Sequence, residues 1–105
     1  MPDVIYLNGK RVEPHQAVVS IDDRGFLFGD AVYEVLRGYD GRLWAVERHL
    51  QRLRHSLGEV GIKGVDLAAL RDLIVRAAEE SGYPNAHVYV HITAGTEIRT
   101  LARSD

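Results

Sequence analysis

Cysteine is absent from this 105-residue chain, which excludes a disulfide framework and any mechanism built on a thiolate. Lysine is nearly absent. Lys10 and Lys63 are the only two, every other basic residue being arginine, so chemistry that needs an amine nucleophile has just these candidates. A basic surplus is missing as well: the formal net charge is -2 and the sequence pI about 6.2, which gives no electrostatic reason to expect nucleic acid or an anionic membrane as partner. No apolar run approaches the roughly 18 residues that a membrane span requires. The opening MPDVIYLNGK has no basic stretch followed by an apolar core, so no export signal is read there. Five scattered histidines without cysteine make no zinc spacing, and no metal is expected. Small molecules and a reducing cytoplasm are the expected partner class and compartment.

What is present suits one core. Hydrophobic residues make up 46% and charged residues 27%, ordinary values for a folded soluble domain. Asn8-Gly9 separates Val4 to Leu7 from Arg11-Val12, and that pair favours a tight hairpin because both residues tolerate positive φ. Val18 to Ile21 reads as another short extended piece, turned at Asp22-Asp23. From Ala31 to Tyr39 the period is two, with Tyr33, Val35, Arg37 and Tyr39 on one face and Val32, Glu34 and Leu36 on the other. Asp40-Gly41 then turns the chain into a strand over Arg42 to Val46.

Between Val46 and Gly61 the spacing lengthens. Val46, Leu50, Leu53, Leu57 and Val60 form one helical stripe. A second helix begins after Asp66, a good N-cap, and stops at Ser81-Gly82. His87 to Thr93 alternates again and reads as a final strand. The order predicts an α+β fold: a largely antiparallel sheet with two helices on one face. The tail AGTEIRTLARSD lacks periodicity and reads as chain leaving the domain.

Taken one at a time, the local motifs leave alternatives open. Gly25 and Gly29 around "FLF" suggest close backbone approach or unusual dihedrals, or a tight turn with an apolar plug. Tyr33 and Arg37 on one strand face suit a carboxylate or phosphate, or equally an edge where the tyrosine packs and the arginine reaches water. Arg52 lies off the leucine stripe, where most arginines are solvated. His49 and His55 read as packing or surface residues rather than ligands.

In sequence, "YLNGKRVEP", "VSIDDRGFLFGDAVYEVLRGYDGRLW" and "ERHLQRLRHSLGEVGI" resemble the N-terminal domain of the fold-type IV pyridoxal-phosphate enzymes, above all their D-amino-acid aminotransferase branch. The family also includes branched-chain aminotransferases, amine transaminases and aminodeoxychorismate lyase. The resemblance implies a small N-terminal domain over residues 1–99 and the start of an interdomain segment at 100–105. It also implies a larger C-terminal domain outside this chain, which would carry the cofactor-binding lysine, since neither Lys10 nor Lys63 matches that position. The implied activity of the whole protein is transfer of an amino group between an amino acid, by this branch a D-amino acid, or an amine and a 2-oxo acid. Pyridoxal 5'-phosphate is the implied cofactor and a homodimer the implied assembly; this chain alone is expected to be inactive. By position, Arg52 matches the clamp on the cofactor phosphate. Tyr33 and Val35 match residues lining the substrate site, and Arg99 the arginine that pairs with the substrate carboxylate. Two positions depart from the D-amino-acid pattern: Leu101 stands where a histidine is usual, and Ala94 where an arginine is. The alternatives are a branched-chain aminotransferase or lyase relative, and a non-catalytic binding module.

Overall fold

Asn8 and Gly9 adopt φ of 52° and 81°, the left-handed backbone that a two-residue turn between antiparallel strands requires. In the computed structural model, which describes residues 3–96, they join β1 (Ile5–Leu7) to β2 (Lys10–Val12). A one-turn 3-10 helix, Pro14–Gln16, follows. Val18 to Ile21, expected to be extended, enters no strand; the Ser20 hydroxyl accepts the Asp22 backbone N–H at 3.0 Å and bends the chain instead.

The next element corrects the sequence reading. Residues 24–28, where the sequence suggests a tight turn with an apolar plug or a close backbone approach, form a short helix, α1 (Arg24–Phe28). Asp23 caps it by accepting the Gly25 N–H at 2.8 Å, and Gly29 closes it at φ 68°. Five residues are too few for a helical period to show in sequence, so only the capping residues announce it.

β3 (Ala31–Tyr39) is the centre of a three-stranded antiparallel sheet. Asp40 and Gly41 turn it into β4 (Arg42–Leu43). That strand ends earlier than its sequence suggests, because Ala45 takes a left-handed φ of 55° and starts the helix α2 (Val46–Val60). A second long helix, α3 (Leu67–Ser81), is capped by the Asp66 side chain on the Ala69 N–H and ended by left-handed Gly82. β5 (His87–Thr93) returns along the other edge of β3, in a register running from Ala31 opposite Thr93 to Arg37 opposite His87.

α2 packs on β3 and α3 on β5. The core between them is Val32, Leu36, Leu50, Leu53, Leu57, Ile74 and Val90, with Leu36 and Leu53 each only 1% exposed. The helices cover one face of the sheet. On β3, Val32, Glu34, Leu36 and Gly38 are buried against them, while Tyr33, Arg37 and Tyr39 are exposed on the opposite face. The α+β class, the antiparallel sheet and the pair of long helices on one face therefore stand, with α1 added.

Candidate active site

Alternation along β3 sends Glu34 to the same side as Val32 and Leu36. A carboxylate 5% exposed among leucines is tolerated only when paired, because an isolated buried charge is strongly destabilising. α2 supplies two partners three residues apart, the spacing that puts neighbours on one helix face. Arg52 donates Nε–H to Oε2 at 2.9 Å and Nη2–H to Oε1 at 2.8 Å. The Nδ1 of His49 lies 2.8 Å from Oε1, and since an ionised carboxylate only accepts, Nδ1 carries the proton.

The fork from Arg52 holds the Glu34 carboxyl below the usual carboxylate range; burial opposes this, and the His49 bond adds to it. Reciprocally, Glu34 raises the Arg52 guanidinium, with a smaller attraction from the Tyr33 phenol. Arg52 is nevertheless 67% exposed at its side chain. A guanidinium has five N–H donors; the two given to Glu34 fix its plane, and the others are engaged by no described residue. A fixed, exposed fork of this kind is a donor set suited to a phosphate group.

The opposite face of the sheet carries a different chemistry. Tyr33 and His91, directly opposite in register, stack with ring centroids 5.7 Å apart and planes 20° from parallel. Val35 faces Tyr89. The Arg37 Nη2 lies 3.1 Å and its Nε 3.3 Å from the His87 Nε2, which must accept because arginine only donates. Between Tyr33 and Arg37 on β3 and between His87 and His91 on β5, this face presents no Asp or Glu. It is a surface of phenols, imidazoles and one guanidinium.

α1 is fastened to the end of β5 beside that face. The Arg24 backbone N–H donates to the Gly95 carbonyl at 2.8 Å, and the Thr93 hydroxyl donates to Asp23 Oδ2 at 3.0 Å. The Arg24 side chain, 4% exposed, donates to Asp30 Oδ2 at 2.9 Å and lies 4.7 Å from the Phe28 ring centroid. Close approach explains Gly25: a Cβ there would come within 2.6 Å of Thr93 Cγ2.

Of the residues singled out in sequence, Tyr33 and Val35 share the open face, and Arg52 reaches the neighbouring residue, Glu34, from the helix side. Arg99 lies outside the described residues. Sequence reasoning gave no part to Glu34, His49 and His91, which the structure places in the buried pair and in the stack. A lone acid in the apolar register Val32-Glu34-Leu36 was the available signal, because such an acid demands a cationic partner. No cluster of metal-ligating side chains occurs among the described residues, and no helix among them is long and apolar enough to cross a membrane.

Comparison with known proteins places these groups in context. The family model described as amino-transferase class IV matches residues 31–105. The chain is 35% identical over 96 residues to the D-alanine aminotransferase of Staphylococcus epidermidis, covering 90% of this chain and 34% of that protein. It thus spans about a third of the length of the relatives it matches. Among solved structures, a hypothetical aminotransferase from Mycobacterium tuberculosis in its PLP-bound form aligns with a TM-score of 0.80 at 29% identity, over 90% of this chain and 34% of the other. The 4-amino-4-deoxychorismate lyase of Pseudomonas aeruginosa aligns at 0.70 and 31% identity, over 82% of this chain and 31% of its own.

Proposed function

The chain belongs to the class IV amino-transferase family, and we propose that it is the amino-terminal portion of a pyridoxal-phosphate-dependent D-amino-acid transaminase. In this reading Arg52 anchors the cofactor phosphate through the donors that Glu34 leaves free. Glu34 and His49 hold that guanidinium in plane. Tyr33 binds the substrate carboxylate, Val35 walls the substrate side, and Arg99, by resemblance alone, pairs with the same carboxylate. When bound, pyridoxal phosphate supplies the electron sink for proton movement at the amino-bearing carbon. The substrates are an amino acid and a 2-oxo acid, and the whole protein works as a homodimer in the cytoplasm.

The observation that carries this reading is the Arg52 fork, fixed by a buried carboxylate yet exposed, one residue along β3 from Tyr33. Arg52 alone contributes one charge-assisted contact, too little to hold the cofactor tightly once association entropy is offset. The 105-residue chain is therefore expected to bind pyridoxal phosphate weakly and to transfer no amino group.

The test is to express a longer protein carrying this domain and to measure two things: the visible absorption of bound cofactor, and pyruvate formed from D-alanine with 2-oxoglutarate as acceptor. A coloured protein that forms pyruvate is expected. A colourless protein that takes up no cofactor overturns the reading. The likeness to the Pseudomonas aeruginosa lyase at 31% identity favours a second reading, lyase chemistry, which turnover of 4-amino-4-deoxychorismate without turnover of D-alanine would establish.

A further inference from the structure

We propose that His91 is a second carboxylate-binding residue, acting beside Tyr33 on the open face of the sheet; this rests on the reading above that Tyr33 faces substrate. The two residues are register partners on adjacent antiparallel strands. Side chains of paired strand residues stand roughly perpendicular to the sheet, so near-parallel stacking at 5.7 Å and 20° sends the phenol oxygen and the outer edge of the imidazole to the same side. Both residues are exposed. Tyr33 supplies one O–H donor and a neutral imidazole one N–H, a pair matched to the two oxygens of a single carboxylate.

Two features of the surroundings assign this role to His91 rather than to the other histidine on the face. His87 already accepts from Arg37 through Nε2, whereas the ring nitrogens of His91 are bonded to no described residue. The ionisable groups sharing the face are Tyr33, Arg37 and Tyr39 from β3, Arg42 from β4, and His87 and Tyr89 from β5; the Asp23 carboxylate, bonded to Thr93 at the end of this face, is buried and already accepts from the Thr93 hydroxyl and the Gly25 N–H.

The experiment uses the cofactor-loaded longer protein and compares wild type with His91→Phe, which keeps an aromatic ring on Tyr33 but has no N–H, and His91→Gln, which restores a donor without the ring. Two constants are read: KM for D-alanine, and the inhibition constant of propionate, which carries the carboxylate and no amine. His91→Phe is expected to raise both by about tenfold, the usual worth of one charge-assisted hydrogen bond, with kcat within about twofold and the bound-cofactor absorption unchanged. His91→Gln is expected to recover most of the loss. Unchanged constants in His91→Phe overturn the proposal, as does a fall in kcat together with altered cofactor absorption, which would mark a structural role. A wild-type protein that transfers no amino group refutes the reading of the whole protein, and the proposal falls with it.

Discussion

The carboxylate of Glu34 accepts two parallel hydrogen bonds from Arg52, at 2.9 and 2.8 Å, while lying 5% exposed on the core side of β3. The arginine is itself 67% exposed at its side chain: two of its donors hold the buried acid and the others face solvent. Glu34→Gln keeps the shape but offers only one oxygen and adds an N–H facing Arg52, so the fork loses its plane. We expect pyridoxal-phosphate affinity to fall roughly tenfold and stability by about 1–2 kcal/mol. Equilibrium dialysis with the cofactor and urea unfolding measure the two; a variant with unchanged affinity would show that Glu34 does not orient the clamp.

Acid should act through the same carboxyl. Its value in the folded chain lies below the ordinary one, mainly because Arg52 donates to its ionised form. A lowered folded value means the unfolded chain takes up the proton first. The stabilisation is therefore fully present above an unfolded pKa of about 4.3 and is lost as pH falls from there through the lower folded value. Urea midpoints recorded between pH 7 and pH 3 should fall more steeply for wild type than for Glu34→Gln over that acid window, with the two curves parallel above it.

Gly25→Ala should destabilise the chain by about 1–3 kcal/mol, the usual cost of forcing a methyl into occupied space. The new Cβ would meet Thr93 Cγ2 at 2.6 Å and Asp23 Oδ1 at 3.0 Å. Thr93→Ser removes that Cγ2 yet keeps the hydroxyl bonded to Asp23. The double variant is expected to be more stable than Gly25→Ala alone, a positive coupling that thermal unfolding of the four proteins in the cycle would measure.

Arg24→Lys is expected to behave almost as badly as Arg24→Met. The buried guanidinium donates through Nε to Asp30 and lies against the Phe28 ring, and a lysine ammonium reproduces neither the planar donor nor the stack. A loss of about 2–3 kcal/mol for each, read from chemical denaturation, is the outcome; full rescue by lysine would mean that charge alone matters there.

Much of this architecture was legible because it rests on local rules. The leucines from Leu50 to Leu57 repeat with the helical period, Asp66 and Gly82 punctuate α3, and the strand His87–Thr93 alternates without interruption. What stayed hidden depended on partners distant in sequence. Local sequence alone leaves Arg52 a solvated surface arginine, and only the family resemblance singled it out, because its partner lies 18 residues earlier on a different element. His91 read as one outward residue among several because nothing local announces that Tyr33 stands across from it. α1 failed for the opposite reason: its determinants are local but too short to show a period.

β3 gives consecutive residues opposite duties. Tyr33 belongs to the solvent side with His91, and Glu34 to the core side with Arg52. Because strand side chains alternate strictly, inserting or deleting one residue between Ala31 and Tyr33 would exchange them, burying the phenol and exposing the acid. The proposed recognition face and the buried ion pair thus share one reading frame. In the transaminase proposed above, substrate preference would change by point replacement on the outward positions of this strand, while a length change would disturb both faces at once.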